Sequence, residues 1–110
     1  MVNPSRVRFE IRLPAFYNDG TPIEPKKYIQ TKNEILRKFG GITLLTITQG
    51  GWVDPKTNKT YVEEMGGFFV DADKERLDET IEFFKGYKKI LEKRFKQKII
   101  YIVGYEVYVI

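Results

Sequence analysis

The chain has 110 residues, of which 42% are hydrophobic and 31% charged, and it contains no cysteine and no histidine. A chain of this length and composition makes one folded domain. The missing thiols exclude a disulfide framework, a thiolate nucleophile and cysteine-based metal sites. The missing imidazoles remove the commonest general base and metal ligand. We therefore predict no metal site and no cofactor.

The net charge of +4 is concentrated in one segment, where acids dominate between positions 71 and 82 and bases between 85 and 98. A helix dipole favours this polarity. Abundant Lys and Glu without Cys lean towards a thermophilic source. No apolar run reaches the ~18 residues of a membrane span, and residues 1–10 contain no apolar signal segment. We expect a cytoplasmic protein that does not contact membranes.

The first third of the chain predicts a strand followed by a helix. Residues 7–13 alternate apolar and charged side chains, which is typical of a strand with one buried face. A helix is expected to begin near Glu24 and Pro25, because proline is tolerated at the first helical position. Gly40 and Gly41 should end it. Its apolar stripe consists of Tyr28, Ile35, Leu36 and Phe39.

A long β-hairpin is predicted next, from strands at residues 42–53 and 60–70 joined by a polar turn at 54–59. Gly50 and Gly51 interrupt the first strand and predict a bulge or bend there, because glycine weakens a regular strand. Gly66 and Gly67 interrupt the returning strand in the same way.

The second helix is predicted to run to about Lys96, with Asp71 or Asp73 as its N-terminal cap. Apolar residues recur in it at three- and four-residue spacing, namely Leu77, Ile81, Phe84, Leu91 and Phe95, widened by Phe83, Tyr87 and Ile90. The last strand, residues 99–110, is apolar or aromatic on both faces. A strand with one face in solvent should alternate instead.

The element order predicts an α+β fold, the ferredoxin-like βαββαβ plait, with residues 1–110 as a single domain. Four antiparallel strands would then carry two helices on one face. The last strand predicts that another copy of the chain covers the second face, in a homo-oligomer (dimer or trimer). We assign Tyr101, Val103 and Tyr105 to that interface. The alternative is a locally apolar strand that the long hairpin partly shields from solvent.

The best candidate ligand-binding site lies on the hairpin. Gln49, Gly50, Gly51 and Trp52 combine backbone that a ligand can approach closely with a ring for stacking, and Glu64 adds a carboxylate. The alternative is that the glycines only bend the strand while Trp52 closes the core. No helix follows these glycines, so the segment is not a phosphate-binding loop.

Charged residues on the strands offer other candidates. Glu63 and Glu64 are adjacent, so on a strand they point to opposite faces and cannot act as a carboxylate pair. Arg8 and Arg12 share one face of the first strand with Glu10 between them, which suits an open-sheet ligand site or cross-strand ion pairs. No nucleophile–base arrangement is present, so we assign no catalytic residue.

RNA-recognition domains share this strand order and need aromatic residues on the open face of the first and third strands. Residues 64–69 match their glycine-aromatic pattern only loosely, with an acid where a base belongs. Phe9 falls on the predicted core side of the first strand. The sequence therefore disfavours nucleic acid as a partner.

The segment FGGITLLTITQGGWVDPKTNKTYVEE, followed by an apolar strand and a charged helix, resembles a group of small uncharacterised prokaryotic proteins. The matching positions are Gly40, Gly41, Thr43, Gly51, Trp52 and Glu64. The resemblance covers roughly residues 39–102 and implies no established activity. The plait and hairpin are also generically similar to PII-type and CutA-like trimers, whose ligands lie between subunits, although their hallmark residues are missing.

The sequence thus predicts a homo-oligomeric module that binds a small molecule or a protein without catalysis. A first alternative is a cofactor-free enzyme of the dimeric α+β-barrel kind, using Glu63 or Glu64 with Tyr101. A second alternative is a nucleic-acid-binding module that uses the basic end of the second helix, residues 85–98.

Overall fold

The computed structural model describes residues 5–110, and it describes their side chains except at 46–52 and 61–65. Its elements in chain order are β1 (Arg6–Pro14), α1 (Pro25–Phe39), β2 (Thr43–Val53), β3 (Thr60–Asp73), α2 (Leu77–Arg94) and β4 (Tyr101–Val107). A short 3-10 turn, Lys74–Arg76, joins β3 to α2. No helix in the described range is long and apolar enough to cross a membrane.

The four strands form one antiparallel sheet in the order β2-β3-β1-β4. β1 is an inner strand, because it pairs with β3 on one side and with β4 on the other. The predicted α+β class, with a four-stranded antiparallel sheet and two helices, is confirmed.

The hydrophobic core lies between one face of the sheet and the two helices. Phe9 of β1 stacks on Phe84 of α2, with ring centroids 4.9 Å apart. The largest fully buried side chains are Phe95, Ile11, Leu13, Ile35, Leu91, Ile100 and Thr31. Both helices contribute to this set, so both cover the same face of the sheet. The alternation predicted for β1 is confirmed, because Val7, Phe9, Ile11 and Leu13 are all buried.

A polar cluster joins α1 to α2 at the edge of this core. The guanidinium of Arg94 donates hydrogen bonds to Thr31 at 2.8 Å and to Glu34 at 3.0 Å. The hydroxyl of Tyr87 donates to the same Glu34 carboxylate at 2.8 Å. Burial, with the neighbouring Glu34 carboxylate, raises the pKa of Tyr87 far above its ordinary value. The cluster therefore fixes the two helices at one spacing through charge-assisted bonds.

Both predicted ends of α1 are confirmed. Pro25 occupies its first turn, and Gly40 closes the helix in the left-handed conformation with φ of 78°. The backbone N–H of Gly40 donates to the carbonyl of Leu36 at 2.8 Å, which satisfies one of the free carbonyls of the last turn.

The predicted aspartate cap of α2 is wrong. Asp71 belongs to β3, where its carboxylate binds Arg8, and Asp73 makes no side-chain cap although it immediately precedes the 3-10 turn. The Asp73 carboxylate instead lies 2.8 Å from Arg6. Both aspartates face arginines of β1 across the sheet, and an arginine offers a stronger, charge-assisted partner than a helix N–H.

The predicted bulge at Gly50 and Gly51 is also wrong, because both residues pair with β3 in regular register. The register shift lies between Leu45 and Thr48, across from Gly66. The second glycine pair thus marks the irregularity, which fits the tolerance of glycine for backbone that leaves the regular strand.

The last strand is shorter than the sequence predicts, and the apolar stripes of the two helices are narrower. β4 runs from Tyr101 to Val107 and not over residues 99–110, because its partner β1 pairs only from Arg12 back to Arg6. Three apolar residues of the predicted helix stripes are exposed, namely Leu36, Ile81 and Ile90. A helix on a flat sheet buries one narrow side, so apolar residues on its flanks stay in solvent.

Candidate functional site

The sheet face turned away from the helices carries charged and aromatic side chains, and we call it the open face. Because side chains alternate along a strand, the strand register assigns its members: Arg6, Arg8, Glu10 and Arg12 from β1, Phe69, Asp71 and Asp73 from β3, and Tyr101, Val103, Tyr105 and Val107 from β4. Arg8 lies between Asp71 and Tyr105, while Glu10 lies between Phe69 and Val103.

Glu10 lies at the centre of the open face and is only 9% exposed. The hydroxyl of Tyr105 donates a hydrogen bond to one of its carboxylate oxygens, and Arg12 donates to the other at 2.9 Å. The bond from Tyr105, with a smaller contribution from Arg12, keeps the pKa of Glu10 below its ordinary value although burial opposes this. The same bond raises the pKa of Tyr105. The carboxylate is therefore ionised at neutral pH and held in a fixed position.

A second cluster adjoins the first on the side of β3. Arg8 makes two hydrogen bonds to the carboxylate of Asp71, at 2.8 and 3.0 Å. Its guanidinium also lies over the ring of Phe69, 4.1 Å from the centroid. The hydrogen bond to Asp71 is the main reason that the pKa of Arg8 is raised. Arginine held both by a carboxylate fork and by a ring face is more rigid than a solvated side chain.

Arg12 has one unsatisfied group. Within the described part of the chain, its Nε is buried and has no hydrogen-bond partner, although its terminal nitrogen binds Glu10. A buried donor without a partner costs about 1–3 kcal/mol. The Glu10 carboxylate is thus shielded from water by a phenol and an arginine that themselves remain partly exposed, which is unusual for a glutamate on a sheet face in contact with water.

Three clefts have linings that fall within the described residues. One of about 160 Å³ lies beside the end of β3 and the start of α2, and is lined by Arg6, Lys38, Phe39, Asp71, Ala72, Asp73, Arg76, Glu79 and Thr80. One of about 170 Å³ lies between α2 and β4, and the third, of about 230 Å³, lies beside the start of β2. Glu10 lines none of these three clefts among the described residues.

The ligand site predicted on the hairpin is placed only by its backbone. Gln49 pairs with Glu64, and Gly50, Gly51 and Trp52 continue the same ladder between β2 and β3. The side chains of these five residues, like that of Glu63, lie outside the described residues. The hairpin site therefore stays a prediction.

The three predicted interface residues come together with the charged residues of β1. Tyr101 is 58% exposed and Tyr105 44% exposed, and both lie on the open face. Val103 lies between them beside Glu10. The interface itself stays a prediction, although its three residues do share one face.

The arrangement expected of an RNA-recognition face is only partly present. Phe9 and Phe68 are buried in the core, as alternation predicts for Phe9. On the open face, β1 carries arginine and glutamate, and the ring of Phe69 on β3 is covered by Arg8. The two free aromatic platforms that single-stranded RNA needs on these strands are therefore missing from the described residues.

The sequence interpretation missed the Glu10–Tyr105 pair. Glu10 reads as one member of an alternating charged row, and nothing local distinguishes it from a solvated strand residue. Its partner Tyr105 is 95 positions away along the chain. One signal in the sequence indicates this pair. Glu10 lies between two arginines on a strand that is central in the predicted plait, and the last strand, which pairs with it, is rich in tyrosine.

The fold and this site define an α+β domain with a desolvated carboxylate on its open sheet face. Compared with protein-family models and with curated proteins, the chain matches none. Among solved structures it is similar to a phage SAM lyase in complex with S-methyl-5'-thioadenosine, with a TM-score of 0.61 and 11% identity. The match covers 99% of this chain and 94% of that chain. At this identity the likeness is one of fold, and it extends over the whole chain.

We expect Glu10→Gln to lower the free energy of unfolding by about 1–2 kcal/mol at pH 7, because the bonds from Tyr105 and Arg12 then reach a neutral group. Since the pKa of Glu10 is lowered by folding, its stabilisation is present above the unfolded-state pKa, near 4.5, and is lost as the pH falls through the folded-state pKa. Urea denaturation of both proteins between pH 3 and 8 would measure this difference.

Glu106→Gln is the matched control for this experiment. Glu106 lies on β4 and pairs with Lys74 at 3.1 Å, with about half of its side chain exposed. An exposed pair of this kind contributes less than about 1 kcal/mol. A difference between wild type and Glu10→Gln that is equal at pH 3 and pH 8 would contradict the assignment of a strongly bonded Glu10 carboxylate.

Proposed function

We propose that the chain is a ferredoxin-like plait that binds a small molecule on its open face, at the Glu10 carboxylate, and that it works as a homo-oligomer. The desolvation of Glu10 carries this proposal. An ionised carboxylate that is nine-tenths buried on an otherwise open sheet face costs free energy unless hydrogen bonds and opposite charges compensate for the lost water. Perturbed carboxylates of this kind concentrate at functional sites.

The chemistry around Glu10 fits a ligand with a cationic or hydroxyl-rich group joined to a flat ring. The ionised carboxylate attracts positive charge and accepts hydrogen bonds from hydroxyls. The rings of Tyr101 and Tyr105 lie near it on the open face, and aromatic faces attract cations and stack on planar rings. An adenosine carrying a sulfonium or thioether combines these groups. The fold likeness to a protein in complex with S-methyl-5'-thioadenosine supports the choice of this class.

The test is isothermal titration calorimetry of the full chain with SAM and with S-methyl-5'-thioadenosine. We expect wild type to bind at least one of them, and we expect Glu10→Gln to weaken the binding about tenfold or more, since a hydrogen bond to a charged group is worth about 1.5–3 kcal/mol. Glu106→Gln, which follows Tyr105 on β4 but lies on the opposite face of the sheet, should bind like wild type. Equal affinity of wild type and Glu10→Gln would overturn the assignment of the site.

A second candidate function is catalysis on the same class of ligand. It corresponds to the cofactor-free enzyme predicted above, with Glu10 and Tyr105 in place of Glu63 or Glu64 and Tyr101. The observation that favours it is the hydrogen bond from the Tyr105 hydroxyl to Glu10. Because its pKa is lowered, Glu10 is a weak base near neutral pH, and its part would be to hold the cationic or hydroxyl group of the substrate in position. Proton NMR of SAM incubated with wild type and with Glu10→Gln would detect turnover that depends on the carboxylate.

The remaining expectations from the sequence stay proposals beside this one. They are a cytoplasmic location, the resemblance to the small prokaryotic proteins, and a ligand contact at Trp52 on the hairpin. A nucleic-acid partner is the least supported of them, because on the open face the ring of Phe69 is covered by Arg8.

A further inference from the structure

We propose that a second copy of the chain covers the open face and supplies the missing wall of the Glu10 site, so that ligand binding and assembly favour each other. The assignment of the ligand site rests on the function proposed above. The interface itself rests on the composition and charge of the open face, and it stands without the ligand.

The shape of the open face requires a second wall. Sites for small molecules bury 70–90% of the ligand surface in a concave pocket. Glu10 lines none of the three clefts described above, and one face of a sheet can cover only one side of a ligand. The helices cannot supply the second wall, because both of them pack on the opposite face, where Phe9 and Ile11 point. A second protein surface over the sheet closes the site.

Covering the open face costs less desolvation free energy than covering a face of unpaired charges. The six charged residues of this face whose side chains are described form three pairs of opposite sign within the chain: Arg6 with Asp73, Arg8 with Asp71, and Arg12 with Glu10. Charges that are to be buried need partners of this kind. Between and beside these pairs lie the exposed aromatic and apolar side chains of β4. A face of neutralised charges and tyrosines resembles the centre of a protein–protein interface, where tyrosine and arginine are enriched.

The charge pattern fits a second copy of the same chain. The open face has arginines in one column, on β1, and aspartates in the neighbouring column, on β3. A copy turned about a two-fold axis can place its aspartate column over the arginines of the first copy, and the reverse contact follows by symmetry. The tyrosines of β4 would then close the edges of the buried area. A self-complementary face of this kind is what a closed homodimer uses.

Assembly and ligand binding are then linked. A ligand held between two copies binds the assembled form more tightly than the single chain, so it must raise the assembled fraction by the same factor. The apparent affinity for S-methyl-5'-thioadenosine should rise with protein concentration. The free monomer presents only the part of the site that its own open face supplies.

The test is sedimentation velocity of the full chain from about 1 to about 200 μM, with and without S-methyl-5'-thioadenosine. We expect wild type to form a dimer or a higher oligomer, and we expect Tyr101→Lys and Val103→Glu to be monomeric. Each variant places a charge in the covered face opposite a like charge of β1, Arg12 or Glu10. The matched control is Ile90→Lys, which adds a charge at an equally exposed apolar residue on α2 and should assemble like wild type. Circular dichroism establishes that each variant is folded.

Two outcomes would overturn the proposed interface. The first is a wild-type monomer at every concentration, with or without the compound. The second is full assembly of the folded variants Tyr101→Lys and Val103→Glu, which would place the contact on another surface, such as the free edge of β4. Equal ligand affinity in wild type and in a monomeric variant would overturn the shared site. Assembly through this face without binding of either compound supports the interface and overturns only the proposed function.

Discussion

Gly67→Ala is expected to leave little folded protein, with a loss of more than about 4 kcal/mol in the free energy of unfolding. Gly67 has a φ of +147°, a backbone conformation that side chains disfavour. A Cβ added there would lie 1.9 Å from the carbonyl oxygen of Ile11. Ile11 is fully buried on the inner strand β1 and is paired on both sides. The clash therefore cannot be relieved without moving the centre of the sheet.

Gly66→Ala is the control, because a Cβ at the neighbouring glycine meets no atom within 4 Å and its φ is not positive. We expect a change below about 1 kcal/mol there. Urea denaturation followed by circular dichroism would compare the two variants with wild type. If both alanines gave the same midpoint, the close approach of β3 to β1 at Gly67 would be contradicted.

Phe95→Ala is expected to lower the free energy of unfolding by about 3–5 kcal/mol, since it removes a large ring from a closed core. Phe95 has no exposed surface and is the largest of the fully buried side chains. Its ring packs against Tyr28 of α1 with centroids 5.5 Å apart, so the loss is felt by both helices. Thermal denaturation would report the loss as a drop in Tm.

Phe16→Ala serves as the control for ring loss as such, because Phe16 is 44% exposed and its removal should cost less than about 1 kcal/mol. Phe95→Leu tests the cavity directly, since a smaller apolar side chain restores part of the volume. We expect it to recover more than half of the lost stability. A Phe95→Ala protein as stable as Phe16→Ala would show that the core can collapse around the space.

The secondary structure was predictable where a short-range rule acts alone. Period-two alternation placed β1, and Pro25 and Gly40 placed the ends of α1 within about one residue. The element order then led to the four-stranded antiparallel sheet. These signals are local, since each depends on backbone geometry that a few neighbouring residues determine.

The sequence interpretation failed where a distant partner competes with a local rule. Asp73 has the residue type and position of a helix cap, yet Arg6, far away in the sequence but opposite it on the neighbouring strand, binds its carboxylate. Ile81 and Ile90 follow the helical spacing of a buried stripe, yet they lie on the flanks of α2 where the sheet does not reach. Only the three-dimensional arrangement decides between these alternatives.

The candidate site was the least predictable part, since its members come from strands that are far apart in the sequence. Arg8, Glu10 and Arg12 are visible as a charged row on one strand. That the row is covered by Tyr105 and bordered by Phe69 depends on strand order and register. The long-range pairing turns an ordinary charged strand into a desolvated carboxylate site.

The central position of β1 has a consequence for how the chain acquires its structure. Residues 6–14 leave the ribosome first among the strands, but one neighbour begins at Thr60 and the other at Tyr101. During synthesis β1 therefore has no partner on either side, and its apolar row stays exposed until both neighbours have been made. The complete sheet can form only after residues 101–107 have been synthesised. Pairing of such distant segments is slow, because the loop entropy is lost before the contacts form. Until then α1 is the one element upstream of β2 that local interactions alone can form.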